Sequence, residues 1–239
     1  MPDLNEEIST FLASRGAGLA GFADLRKLDT GATDNLPFGV LIAVPLDPTA
    51  LSGIKIGPTP EYRAEYKRVN QLLDELAQQL VLYLIKKGYK AKMRPATFEE
   101  DKAHLTAKLP HKTVATRAGS GWIGKSALLI TREYGPAVRL ATVLTDAPVK
   151  PGKAIDKSLC GHCRHCVDAC PAHAITGKNW EAGMPRDSLY DAFTCREMTR
   201  NLSQKLIGEA ISICGLCITS CPWTQKYLKK NNNQGTNPN

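Results

Sequence analysis

No apolar run in this 239-residue chain approaches the ~18 to 20 residues that cross a bilayer as a helix. A helical membrane protein is excluded on that ground, and no membrane partner is expected. The N-terminus reads MPDLNEEIST, acidic and polar, without the basic start and apolar stretch of a secretion signal. A cytoplasmic location is therefore the expectation. Cysteine is missing from the first 159 residues, and all eight cysteines fall between Cys160 and Cys221. Without export there is no oxidising compartment to join them as disulfides. No internal repeat is visible apart from a doubled run within that cysteine-bearing stretch.

The run carries the clearest chemistry in the chain. Cys160-x2-Cys163-x2-Cys166-x3-Cys170-Pro171 has the spacing of bacterial two-cluster ferredoxins, in which the fourth cysteine ligates the other cluster. Cys214-x2-Cys217-x3-Cys221-Pro222 is the same run without its first member, and Cys195 can supply the missing thiolate. Zinc knuckles favour paired CxxC motifs with four ligands per site, and three cysteines at two-residue gaps fit them poorly. Two 4Fe-4S clusters are therefore expected. Cys160, Cys163 and Cys166 sit on one loop, and by pseudo-symmetry Cys221 completes the first cluster. Cys170, Cys195, Cys214 and Cys217 then hold the second. Small residues nearby (Gly161, Ala169, Gly215, Ser220) let backbone amides approach the sulfurs.

With 43% hydrophobic and 23% charged residues, the chain has the composition of an ordinary globular protein. Its formal net charge is +8. Ten Lys or Arg between Lys86 and Lys125, against Glu99, Glu100 and Asp101, make the excess locally dense. Such a run suits phosphate, nucleic acid or an acidic redox partner, and suits solvated surface equally.

Asp3 is a helix cap ahead of Leu4, Ile8, Phe11 and Leu12, with Gly16 as the stop. A short strand is expected at 17–23, and the apolar run Phe38 to Val44 predicts a strand buried on both faces. Residues 46–58 read as loop. Thr59 and Pro60 open the longest helix, which carries the stripe Val69, Leu72, Leu73, Leu76, Leu80, Leu84 and ends at Gly88. A strand at Tyr89 to Met93, an irregular stretch at 95–110, a helix at 113–118 and strands near 127–131 and 137–145 follow. A helix over 186–201 carries Cys195. The polar tail from Lys229, KKNNNQGTNPN, reads as disordered. The expected domains are 1–150, an α+β domain, then 151–230, a double-cluster domain, with 231–239 as tail.

Gly119, Gly121 and Gly124 bring backbone close to something within six residues. The order around them is helix, turn, strand, whereas a P-loop needs strand, turn, helix, so nucleotide binding is not expected there. Trp122 is either core or one wall of a cofactor cradle.

HKTVATRAGSGWIGKSALLIT, then LTDAP, then CGHCRHCVDACP resembles the epoxyqueuosine reductase family, relatives of the reductive dehalogenases. The resemblance covers most of residues 37–228. It implies an α+β protein, with a nitroreductase-like N-terminal domain followed by a ferredoxin-like double 4Fe-4S domain. It implies a cobalamin cofactor lying against Gly121, Trp122, Ile123, Gly124, Lys125 and Ser126. The family reaction removes an epoxide oxygen from a modified tRNA base, with electrons entering through the clusters and an acid protonating the leaving oxygen. The implied partners are tRNA and a low-potential electron donor such as a flavodoxin or ferredoxin. Where the family places an acidic aspartate in a VDSAP-like stretch, this chain reads TAKLPHKT, and His111 is the candidate acid. Two readings follow: a corrinoid-dependent reductase acting on tRNA or a smaller substrate, or a non-catalytic ferredoxin-type carrier that reduces a corrinoid protein partner.

Overall fold

The computed structural model describes residues 3–97 and 103–232. The chain divides into two compact units. A sheet unit is built from Met1–Pro45, Arg68–Trp122 and Val138–Asp156. A cysteine unit is built from Leu46–Lys67, Ile123–Ala137 and Lys157–Asn239. The cysteine unit thus takes in two segments that lie far upstream of any cysteine. Helices and a sheet share the chain, as the expected α+β class requires.

In the sheet unit, strands β1 (Leu19–Asp24), β2 (Phe38–Pro45) and β3 (Ala91–Arg94) join β6 (Val138–Thr145) in the order β1-β2-β6-β3, every pair antiparallel. The six central residues of β2 are all buried. Its β-branched and aliphatic side chains face core on both sides, so the run is continuous where a half-exposed strand would alternate. Val40 is the register partner of Phe22 on one neighbour and Val143 on the other.

Helix α1 (Leu4–Ala13) starts where Asp3 accepts a hydrogen bond from the Glu6 amide at 3.0 Å, and it packs Ile8 and Leu12 inward against β1. Helix α3 (Pro60–Lys86) has Thr59 as its cap, the hydroxyl accepting from the Tyr62 amide at 3.2 Å. Val69, Leu73, Leu76, Leu80 and Leu84 of α3 are buried within the sheet unit, while Leu72 is partly exposed. Each such side chain contributes ~1.5–3 kcal/mol by leaving water. Tyr83 stacks on Phe11 with ring centroids 4.7 Å apart, and its hydroxyl donates to Glu7 at 2.9 Å. Helix α4 (His111–Arg117) packs on β1, β2 and β6. It begins at His111, two residues before its expected start, because Pro110 supplies an extended residue before the first turn.

The basic run does not form one unpaired face. Lys87 pairs with Glu7, Lys92 and Arg94 both meet Asp34 at 3.0 Å, and Arg117 pairs with Asp156. Glu99, Glu100, Asp101 and Lys102 lie outside the described residues.

The cysteine unit contains a helix within the expected loop at 46–58. Helix α2 (Pro48–Ser52) is capped by Asp47, whose carboxylate accepts from the Thr49 amide at 2.7 Å. The Asp-Pro pair at its start is a signal for a helix N-terminus. Helix α8 (Pro222–Asn232) packs on α2, and the Tyr227 hydroxyl donates to the Leu46 carbonyl at 3.0 Å. Lys229 to Asn232 are therefore the last turn of a helix rather than tail, because Tyr227 fastens the preceding turn. The rest of the expected tail, 233–239, lies outside the described residues. Helix α6 (Ala192–Ile207) starts six residues later than expected, at the Asp191 cap, after a 3-10 turn at Arg186–Ser188. Ile123, Ala127, Trp180 and Leu189 form a small apolar core, with Met184 and Tyr190 against it.

Candidate metal centre

The two cysteine runs fold alike. Helix α5 (His165–Asp168) carries Cys166 at its second position, and helix α7 (Leu216–Thr219) carries Cys217 at the same position. Each single turn closes with the amide of the next cysteine donating at 3.2 Å, Cys170 to Val167 and Cys221 to Ile218. Pro171 and Pro222 follow. The two short helices pack on each other. Gly215 begins α7 with φ of +87°. A Cβ there would stand 2.6 Å from Ile54 Cδ1, so both backbone and space call for glycine.

Cys195 and Cys214 are held by polar anchors. Asp191 accepts from the Phe193 and Thr194 amides at 2.9 and 3.0 Å, and the Cys195 amide donates to the Asp191 carbonyl at 3.1 Å. Cys195 thus sits in the first turn of α6. Ser203, fully buried, donates to the Ile211 carbonyl at 2.7 Å and accepts from the Ile211 amide at 3.0 Å. That pair of bonds folds the chain back after α6 and delivers Cys214.

All eight cysteines are free and partly buried. Burial pushes the Cys166 thiol up to about 11, and the neighbouring Cys160, Cys221 and Cys163 add to it. Burial pushes Cys195 up to about 11, with Cys170 and Cys214 adding. Burial raises Cys221, with Cys160 and Cys163 beside it, and raises Cys214, with Cys170 beside it. Cys217 is the most strongly raised, by burial first, and Cys214, Cys195, Cys166 and Cys170 add to it. One group of neighbours is thus Cys160, Cys163, Cys166 and Cys221, and the other is Cys170, Cys195, Cys214 and Cys217. Cys166 of the first group also acts on Cys217 of the second, and Cys217 borders the cavity beside the first group, so the groups are adjacent. Buried, mutually repelling thiols stay protonated by themselves; a metal that binds them displaces the protons outright. Among the described residues, no three His, Cys, Asp or Glu side chains converge as the ligands of a single ion do.

A cavity of about 190 Å³ opens beside the first group. Cys160, Cys163, Cys166, Cys217 and Cys221 border it, together with Lys125, Ser126 and Trp223. The turn expected to cradle a corrinoid is therefore divided. Gly121 and Trp122 are buried in the sheet unit, Trp122 without any exposure. Ile123 lies in the small core of the cysteine unit. Gly124, Lys125 and Ser126 face the cysteines. A Cβ on Gly124 would lie 2.8 Å from Ile130 Cγ1 and 3.5 Å from the Cys160 sulfur, so glycine lets the backbone pass close to the thiols. Gly119 to Ser126 also satisfies the letters of a P-loop, GxxxxGK(S/T). The structure places helix α4 before it and strand β4 (Trp122–Ile123) inside it, and no helix begins at Lys125, so the phosphate cradle is not built.

His111 lies in the sheet unit. Its Nε2 donates to the Pro95 carbonyl at 2.9 Å, and its Nδ1 meets the Thr142 hydroxyl at 2.8 Å. Burial holds its pKa down to about 4, with Arg139 and Arg94 contributing. Both nitrogens are engaged within the chain and the ring is neutral at neutral pH. The geometry gives it the job of pinning α4 to β6, with both ring nitrogens turned to groups of its own chain.

The cysteine-rich stretch defines a double-cluster protein: residues 159–224 match the 4Fe-4S double cluster binding domain. Beyond that class, the chain is similar to the epoxyqueuosine reductases. Over 123 residues it is 34% identical to the epoxyqueuosine reductase of Listeria monocytogenes, a match covering 51% of this chain and 31% of that relative. The chain thus spans about a third of that relative's length. A crystal structure of epoxyqueuosine reductase with an epoxyqueuosine-modified tRNA-Tyr stem loop superposes with a TM-score of 0.63 at 22% identity, over 93% of this chain and 65% of that one. A reductive dehalogenase, whose structure suggests a mechanism for B12-dependent dehalogenation, superposes with a TM-score of 0.69 at 18% identity, over 92% of this chain and 32% of that one. The shared fold is the expected one: a mixed helix-and-sheet part with a double-cluster part. Among the described residues no helix is long and apolar enough to cross a membrane.

Proposed function

We propose that this chain is an iron-sulfur oxidoreductase of the epoxyqueuosine reductase type. In this reading Cys160, Cys163, Cys166 and Cys221 hold one 4Fe-4S cluster, and Cys170, Cys195, Cys214 and Cys217 hold the other. When bound, the clusters supply one-electron transfer at low potential. The observation that carries the reading is the sorting of eight partly buried thiols into two adjacent groups of four, each drawing a cysteine from the other run. The donor chemistry fits the clusters: five of the thiols border a cavity, and among the described residues no oxygen or nitrogen ligand set competes with the sulfurs. The chain's own work is to hold the thiolates in pairs of loops and bring the two groups close.

A corrinoid is the electron acceptor that the resemblance supplies. The six residues assigned to it do not fit that role. Gly121 to Ile123 are buried within their own units, and Gly124 to Ser126 face cysteines. Titration of the reconstituted protein with cob(II)alamin, followed by the spectral change of base-off binding, decides whether one binds elsewhere on the chain. The packed state of the turn favours a second reading, a ferredoxin-type carrier that reduces a corrinoid protein partner. The electron donor in either case is a low-potential flavodoxin or ferredoxin, and the substrate of the reductase reading is a tRNA or a smaller epoxide-bearing molecule.

Metal analysis tests the core of the proposal. Anaerobically purified protein should hold about eight iron and about eight sulfide, as two four-iron cubes require. Stoichiometric zinc without sulfide would overturn it.

A further inference from the structure

Lys125 is a charged side chain that the fold has almost removed from water. It is 5% exposed. It lines the cavity bordered by the first group of thiols, and it is the one Lys, Arg or His among the residues lining it. Among the described residues it has no ion pair and no side-chain hydrogen bond. No carboxylate lines the cavity either. Lysine often lays its stem on apolar surface and leaves its ammonium at the solvent edge, and at 5% exposure what little of Lys125 is accessible belongs to a residue that lines the cavity. Taking a cation out of bulk water without a partner is costly, so an anion in front of Lys125 would stabilise it.

The reading of Cys160, Cys163, Cys166 and Cys221 as ligands supplies that anion, and the inference rests on it. Four thiolates around a four-iron cube leave it with net negative charge, and reduction adds one more. We propose that Lys125 compensates this charge and holds the first cluster at a higher reduction potential than the same cube would have without it. The step is a one-electron reduction by a low-potential donor. One electron enters the cube, no bond forms or breaks, and the fixed ammonium offsets the added charge. Charge near a cluster is one of the means by which a protein sets its potential. Ser126, 8% exposed, lines the same cavity.

The experiment is an anaerobic redox titration of the loaded protein, reduced stepwise with dithionite and read by electron paramagnetic resonance. Wild type, Lys125→Gln and Lys125→Arg are compared, with Cys221→Ser used to assign the signal of the first cluster. Iron and sulfide counts on the wild type come first and separate a failure of the cluster reading from a failure of this one. Lys125→Gln should lower the ratio of reduced to oxidised first cluster about tenfold at a fixed potential, ~59 mV for a one-electron couple. Lys125→Arg should keep the ratio within about threefold, and the second cluster should shift less than the first in both variants. If Lys125→Gln loses a cluster while Lys125→Arg keeps both near the wild-type potential, the charge is again the operative property. An unchanged first cluster in Lys125→Gln, equal shifts of both clusters, or cluster loss in both variants would overturn the proposal, the last because it would assign the lysine a packing role.

Discussion

Acid should loosen the sheet unit through His111. The imidazole is buried, its pKa held down to about 4 against 6.5 for the free side chain. The unfolded chain therefore takes up the proton first as pH falls. The contribution to stability is complete above about pH 6.5 and is lost as pH drops through 4. The full shift is worth about 3 kcal/mol at ~1.36 kcal/mol per pH unit, and at pH 5 about 2 kcal/mol of it is already gone. The bonds that hold the ring, to Pro95 and Thr142, tie α4 to the edge of β3 and to β6, so the amides of α4 should report the loss. Hydrogen exchange on the loaded, anaerobic protein, corrected for intrinsic rates, should show α4 protection falling about 30-fold between pH 7.5 and pH 5, the equivalent of about 2 kcal/mol. In His111→Gln the same change of pH should alter α4 protection by less than about threefold. Carboxylates titrate in both proteins, so the difference between them isolates the histidine. An equal response of the two proteins would refute the assignment of His111 as a buried neutral pin.

Crossed ligation predicts that Cys170→Ser perturbs the cluster held by Cys195, Cys214 and Cys217, and that Cys221→Ser perturbs the cluster held by Cys160, Cys163 and Cys166. Resolved spectra in which Cys170 serves its own loop's cluster would reject the scheme. Gly215→Ala should lower stability by about 2–5 kcal/mol, from ~1–2 kcal/mol of left-handed strain and ~1–3 kcal/mol of overpacking against Ile54. Thermal unfolding of the loaded protein checks this, and a variant as stable as wild type would show that Ile54 moves aside freely.

Local signals carried much of the fold into view. The cysteine spacing, the Asp3 and Thr59 caps, Pro60 at a helix start, and the apolar run of β2 all act within a few residues, so their consequences could be read in order along the chain. Helix α2 also had its signal in Asp47-Pro48, though it lies within a stretch that reads as loop. The α6 boundary lies at Asp191 because its carboxylate accepts from the amides of Phe193 and Thr194 and so caps the helix there.

The cysteine composition by itself determined a two-cluster protein, because eight thiols at those gaps have few other chemistries. Only the tertiary structure decided the surroundings. It joined residues 46–67 and 123–137 to the cysteines, turned Gly124, Lys125 and Ser126 toward the thiols, and buried His111 between Pro95 and Thr142. Those outcomes depend on which distant segments share a core. A glycine-rich turn has the same letters whether it faces a corrin, a phosphate or a sulfur cluster, and a histidine has the same letters whether it is wet or buried. Spacing along a chain sets what a loop can reach, and long-range packing sets what is there to be reached.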